Sequence, residues 1–146
     1  MLLVCSPGGH LQDMIALEPA YRSLSTIWVT TPGADVDDQL GDQRRWLAHG
    51  PTNRNVPNLL RNFRVAWRVL GEEDPDVIVS TGAALAIPFF VLGKLQRRRV
   101  VYVECLARVQ SLSLTGRLLY PFADQFFVQS PRLARLRRAR YEGSVL

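Results

Sequence analysis

The chain has 146 residues, 47% of them apolar and 21% charged, with a mean hydropathy of zero. That profile fits one globular domain large enough for its own core, and excludes a disordered segment, a collagen or a coiled coil. Net charge is +5 but unevenly placed: residues 1–93 sum to −3 and residues 94–146 to +8, and seventeen of the eighteen cations are Arg, the side chain suited to bidentate phosphate contacts.

Leu2 to Cys5 reads as an opening strand that stops at Ser6-Pro7-Gly8-Gly9. The start lacks a basic n-region and meets Pro7 too early for a signal peptide. Cys5 and Cys105 show no CxxC spacing, so the expectation is a reduced, cytoplasmic protein without a zinc site or disulfide framework. Leu11, Ile15, Leu17 and Tyr21 give an amphipathic helical face, and Thr26 to Thr30 a second strand. Asp35, Asp37 and Asp38 fall in an expected loop and form no DxD-like metal site. Leu40, Trp46 and Leu47 suggest a weak helix, and a short third strand is guessed around Asn53 to Val56.

Phe63, Ala66, Trp67 and Leu70 mark the next helix, with Phe63, Trp67 and Leu70 read as its core face. Val77 to Ser80 is a strand, and Leu85 to Leu95 a helix with Pro88 in its opening turn. The apolar run Ala83 to Gly93 is shorter than the roughly 18 residues a membrane span needs. Val100 to Glu104, a helix in Ser111 to Tyr120 and a strand at Gln125 to Gln129 complete the alternation. Such alternation, without hairpin turns, predicts an α/β fold: a Rossmann-like, doubly wound parallel sheet forming one domain over residues 1–146.

Three turns carry the chemistry. Gly8 and Gly9 follow the first strand, where a backbone approaches phosphate closely and a helix start supplies free N–H groups. His10 stands at that mouth, and histidine suits acid–base work near neutrality. Ser80-Thr81-Gly82 forms a second such turn, and the two together would flank the crevice where strand order reverses. Glu104 ends an apolar strand, a costly place for a lone carboxylate, and Arg108 is near enough in sequence to pair with it. Cys105 reads as a small packing residue. Arg61, Arg64 and Arg68 interleave with Phe63 and Trp67, a pattern also compatible with an anionic bilayer. The tail Arg132 to Arg140 is basic but lacks aromatics, which argues against single-strand nucleic acid stacking.

Pro7-Gly8-Gly9-His10-Leu11, Pro75-Asp76-Val77-Ile78-Val79-Ser80-Thr81-Gly82-Ala83, Tyr102-Val103-Glu104-Cys105-Leu106-Ala107-Arg108-Val109 and Ser111-Leu112-Ser113-Leu114-Thr115-Gly116-Arg117-Leu118-Leu119-Tyr120-Pro121 resemble the Alg14 family, which includes the bacterial PssD and CpsF-type polysaccharide proteins. The resemblance implies the acceptor-side half of a split GT-B glycosyltransferase, similar to the amino-terminal domain of MurG-like enzymes. It further implies a separate Alg13- or PssE-like subunit that binds the UDP-sugar, and a lipid diphosphate-linked saccharide acceptor. The place of action would be the cytoplasmic membrane face, with peripheral attachment to an anionic membrane surface and no part for nucleic acid. The expected chemistry is an inverting transfer without metal or cofactor. In it His10 and Glu104 are catalytic, and Gly8, Gly9, Ser80, Thr81, Gly82 and Arg108 bind substrate. Phe63, Trp67, Arg61, Arg64 and Arg68 are the expected membrane contacts. The alternative is a noncatalytic membrane-docking scaffold that recruits and activates its partner. A dinucleotide oxidoreductase is disfavoured by the missing third glycine and acidic ribose ligand.

Overall fold

Runs of Val, Ile and Leu bounded by glycine or polar turns are stable as strands when both faces are buried, and helical crossovers bury them. A computed structural model describes residues 1–145, among which seven strands form one sheet. They are β1 (Leu2–Val4), β2 (Ile27–Thr30), β3 (Arg45–Leu47), β4 (Val77–Ser80), β5 (Arg99–Val103), β6 (Gln125–Phe127) and β7 (Ala139–Arg140). All pair in parallel, in the order β3-β2-β1-β4-β5-β6-β7. Leu3 sits opposite Trp28 on one side and Val79 on the other.

The helices divide between the faces. α4 (Val56–Glu73), α5 (Ala86–Leu95) and α6 (Leu114–Leu119) pack Ala66, Val69, Phe89, Phe90 and Leu119 onto Leu2, Val4, Ile78 and Tyr102. On the other face α1 (Gly9–Ala16), α2 (Glu18–Tyr21) and α3 (Ala34–Leu40) bury Leu11, Met14, Tyr21, Val36 and Leu40 against Leu3, Cys5 and Trp28. The doubly wound sheet is therefore as expected. On the second face the helices leave Val77, Val79, Val101, Val103 and Phe127 lining a groove of about 400 Å³. The carboxyl-terminal stretch runs along it, with the Val145 N–H donating to Gln129 Oε1 at 3.0 Å.

Five local expectations are corrected. The third strand is Arg45–Leu47, not Asn53 to Val56, and the expected weak helix near Trp46 is absent there. Arg45-Trp46-Leu47 extends the sheet edge beside β2, and Trp46 anchors it by donating Nε1–H to Glu73 at 2.7 Å. Asn55 instead caps α4, its Oδ1 accepting from the Asn58 N–H at 3.0 Å. The first helix is interrupted at Leu17, where Glu18-Pro19 begins a new short helix. The three aspartates lie on α3 rather than in a loop.

The last correction concerns α4, whose buried line is Asn58, Asn62, Ala66, Val69 and Leu70. Trp67 is 66% exposed, so Phe63, Trp67 and Leu70 are not its core face. The register is set by polar groups: Asn62 accepts from the His49 N–H at 2.8 Å and donates to the His49 carbonyl at 2.9 Å. Asn58 donates to the Pro51 carbonyl at 3.0 Å, so the loop into α4 is tied down by the helix itself. No helix among the described residues is long and apolar enough to cross a membrane.

Candidate functional site

Strand order reverses between β1 and β4, and the loops leaving their carboxyl ends diverge there into a crevice. A cleft of about 1190 Å³ occupies this place, with His10, Ala83, Ala84 and Cys105 among its lining and Arg54 and Arg108 contributing the two guanidiniums. No Asp or Glu is among the residues that line it.

His10 is held by the neighbouring turn. Its Nδ1 lies 2.9 Å from the Thr81 carbonyl oxygen. A carbonyl only accepts, so Nδ1 carries the hydrogen and the neutral ring presents Nε2 as its acceptor. Thr81 Oγ1–H in turn donates to the His10 carbonyl at 2.6 Å. Gly82 has φ +129°, and a Cβ there would lie 2.7 Å from His10 Cε1. The turn therefore requires glycine, both for its backbone and for the imidazole beside it.

Ser80, Thr81 and Gly82 were expected to bind substrate. The structure buries all three beneath the cleft: Ser80 Oγ accepts the Gly82 N–H at 3.1 Å, and Thr81 and Gly82 support His10. In the Gly8-Gly9 loop one backbone donor has a partner within the protein. Gly8, at φ +80°, donates its N–H to Asp35 Oδ2 at 2.8 Å, so a carboxylate of the protein already occupies that donor beside the start of α1. Gly9 is exposed, and a side chain there would meet no neighbour.

Glu104 is 0% exposed. The expected pairing with Arg108 is not made, because nearer donors satisfy the carboxylate. Oε1 accepts the Cys105 N–H at 3.1 Å, and Oε2 accepts the Ser113 N–H at 2.9 Å and the Ser113 hydroxyl at 3.1 Å. One side chain thus fastens both ends of the loop 105–113 that carries Arg108. Ser113 Oγ also caps α6, accepting the Gly116 N–H at 2.9 Å, and Gly116 packs so closely that any Cβ would overlap the Glu104 carboxylate. Tyr102 lies 3.3 Å from Ser113 Oγ; burial, then the charge of Glu104, raises its pKa and keeps the phenol protonated. Glu104 is placed as a structural fastener, not as an acid or base open to the cleft.

Cys105 is half-buried at the cleft rather than packed in the core. Burial raises its thiol pKa, and a hydrogen bond with Asp13 acts in the same direction. Asp13 Oδ2 also accepts the Leu106 N–H at 3.2 Å. Cys5, fully buried, has its pKa pushed up to about 12 by burial and by Asp35. Among the described residues no three His, Cys, Asp or Glu side chains gather as metal ligands.

The expected membrane contacts divide in the same way. Trp67, Arg61 and Arg64 are exposed on α4 and Phe63 is half-buried. Arg68 is exposed as well, with its guanidinium 2.6 Å from Glu72 and 5.2 Å from the Trp46 ring centroid, and Arg61 donates to Asn58 Oδ1 at 3.3 Å.

A parallel sheet of this order, with a cleft at the switch point, is a Rossmann-like doubly wound fold, similar to one half of the GT-B architecture. MurG of Acinetobacter baumannii has this fold, with a TM-score of 0.76 and 15% identity over 96% of this chain and 45% of that one. The chain belongs to the Alg14 family: the family described as "Oligosaccharide biosynthesis protein Alg14 like" matches residues 49–145. The Schizosaccharomyces pombe UDP-N-acetylglucosamine transferase subunit alg14 is 40% identical over 173 aligned residues, covering 99% of this chain and 82% of that protein. The Eremothecium gossypii UDP-N-acetylglucosamine transferase subunit ALG14 is 52% identical over 79 residues, a stretch spanning 35% of that relative. Arg54, Asn58 and Asn62 were not singled out from sequence. Asparagines at a four-residue spacing in an otherwise apolar helical line are the signal that marked the last two.

Proposed function

We propose that this chain is the acceptor-side subunit of a two-component glycosyltransferase. With an Alg13- or PssE-like donor-binding partner, it moves a sugar from a UDP-sugar to a lipid diphosphate-linked acceptor, with inversion and at the cytoplasmic membrane face. The observation that carries the reading is His10. Its Nδ1–H is spent on the Thr81 carbonyl at 2.9 Å, which leaves Nε2 to take a proton in a cleft without carboxylates. In the proposed step Nε2 removes the proton from the acceptor hydroxyl as that oxygen forms the new glycosidic bond. The sugar–diphosphate bond of the donor breaks and the UDP leaves with the electron pair. The names of the S. pombe and E. gossypii relatives, each a UDP-N-acetylglucosamine transferase subunit, support that donor class.

The partner is invoked because the MurG chain of like fold is more than twice as long as the part this chain matches. The test is reconstitution with the donor-binding subunit. His10→Gln is expected to lower kcat by roughly 10² to 10⁴ with partner affinity unchanged, because glutamine keeps a hydrogen-bonding group and cannot accept the proton. Parental turnover by the Gln variant would favour the docking scaffold and remove His10 from the chemistry.

A further inference from the structure

Asp13 is a buried charge that the proposed chemistry leaves unused. It lies on α1, 6% exposed and one turn after His10, and among the described residues no Lys, Arg or His pairs with it. Its donors are the Leu106 N–H at 3.2 Å, 93 residues along the chain, and the Cys105 thiol. A carboxylate removed from water is costly unless cations or strong donors surround it, and a thiol is a weak donor. An apolar side chain of similar size would hold the interior together at least as well. Stability alone therefore gives no reason for an acid at this position.

The loop that Asp13 reaches has other anchors. Glu104 fastens residues 105 and 113, Gln129 Nε2–H donates to the Glu104 carbonyl at 3.1 Å, and Ser130 Oγ–H donates to the Val109 carbonyl at 3.0 Å. Those bonds hold the loop to itself and to the chain that follows β6, and none of them reaches α1. Among the described residues, the hydrogen bonds that do join the loop to α1 are those of Leu106 and Cys105 with Asp13. Side chains three apart on a helix lie on one side of it. The same side of α1 thus sets His10 on the Thr81 carbonyl and Asp13 on Leu106, two residues before Arg108.

We infer that Asp13 is a positioning residue, which fixes the loop carrying Arg108 in register with the helix carrying His10. It does not line the cleft and acts through Leu106 and through Cys105, which does. The inference rests on the reading of His10 as the base and adds the residue that aligns it.

The first measurement uses the full chain by itself. In Asp13→Leu, amide hydrogen exchange followed by NMR should quicken about tenfold or more at Leu106, Ala107 and Arg108, while Ser113, whose N–H is held by Glu104, keeps its parental rate. The melting temperature should stay level or rise, because a carboxylate leaves an apolar setting. Asp13→Ala, which brings no added bulk, should show the same exchange pattern. Asp13→Asn keeps an oxygen for the Leu106 N–H and should exchange within about threefold of the parent.

The second measurement uses the pair reconstituted with the donor-binding subunit. Asp13→Leu and Asp13→Ala should lower kcat about tenfold or more and move the acceptor KM less than about threefold, since the loop stays formed and only its alignment with His10 is lost. Asp13→Asn should recover most of the turnover. An anchor of purely structural use predicts the reverse, a lower melting temperature with parental kcat per folded complex. Parental exchange at residues 106–108 in both Asp13→Leu and Asp13→Ala would overturn the inference, as would parental kcat in those variants or an Asn variant as slow as the Leu variant. A parent pair that turns over no substrate removes the transferase reading instead, and the exchange rates then decide whether Asp13 sets the loop.

Discussion

Replacing Glu104 by Gln tests whether a buried carboxylate holds the arginine-bearing loop in place. Its two oxygens accept three hydrogen bonds, from the Cys105 N–H at 3.1 Å, the Ser113 N–H at 2.9 Å and the Ser113 hydroxyl at 3.1 Å. Glutamine brings one oxygen and one NH2 group. Turned either way, it sets an amide N–H against a backbone N–H at one end of the loop. One charge-assisted bond is lost, worth roughly 1.5–3 kcal/mol, and a buried donor is left unmatched at roughly 1–3 kcal/mol. Relaxation recovers part of this, so a net loss of about 3 kcal/mol is expected. For a domain near 150 residues that corresponds to a fall in melting temperature of about 6–12 °C. Because residues 105–113 carry Arg108, the acceptor KM of the reconstituted pair should rise by about tenfold, with kcat changing less. Thermal denaturation followed by circular dichroism and initial-rate kinetics read the two effects. A Gln variant melting within about 1 °C of the parent refutes the fastening role. Lost stability with a parental KM refutes the link from Glu104 to Arg108.

Gly82→Ala should lower stability by about 1–3 kcal/mol and reduce turnover at least as strongly as it displaces the imidazole, since its Cβ would lie 2.7 Å from His10 Cε1; equal kcat in parent and variant contradicts this placement. Asp124 loses solvent on folding, which would raise its pKa, but Lys94 at 2.6 Å and the Val100 N–H at 2.8 Å outweigh that and lower it. The depressed value means that this carboxylate stabilises the fold above its unfolded pKa, about 3.9, and that the contribution disappears as pH falls through the folded one. Urea midpoints of the parent and Asp124→Asn should therefore differ at pH 7, and the gap should narrow as pH falls below the unfolded pKa; a gap that stays constant into acid refutes the linkage. Cosedimentation with anionic vesicles should weaken in Trp67→Ala and Arg64→Gln and change little in Arg68→Gln, because Arg68 is already paired with Glu72. Equal losses for the two arginine variants would show that this pairing does not withhold Arg68.

The central strands were legible because β1, β4 and β5 are runs of Leu, Val and Ile that end at glycine or polar turns, the pattern a doubly buried strand imposes. The edges were not. β3 is Arg-Trp-Leu and β7 is Ala-Arg, and such short strands on a sheet edge need no apolar alternation. The face of α4 was misjudged by about one residue because Asn58 and Asn62, polar in sequence, are buried as partners of the Pro51 and His49 backbone. In the site, His10 and the Gly82 turn were visible as glycine-bearing strand ends, whereas their roles were not. Thr81 and Gly82 support the imidazole through contacts that span 71 residues of sequence or more, and no local pattern carries that information. Glu104 was visible as a carboxylate closing an apolar strand. Its partners were missed because backbone N–H groups, unlike Arg108, leave no mark in the sequence.

These supports join the loops through α1. His10 rests on Thr81 and Gly82, and on the other side the Tyr102 hydroxyl lies 3.3 Å from Ser113 Oγ. Ser113 and the Cys105 N–H meet on Glu104, and Cys105 and Leu106 return to Asp13, one turn along α1 from His10. The loops that follow β1, β4 and β5 are therefore joined by one polar network beneath the cleft. A base on a free loop would lose alignment with each thermal excursion, and catalytic positioning tolerates errors of well under an ångström. Coupling the three loops restricts such excursions, because moving His10 relative to Arg108 requires breaking the bond from Leu106 to Asp13 or those that hold loop 105–113 on Glu104. It also means that substitutions within the network act on shared partners, so their effects on stability do not add. His10 and Arg108, which both line the cleft, are kept in fixed relation by hydrogen bonds that involve Thr81, Asp13, Glu104 and Ser113.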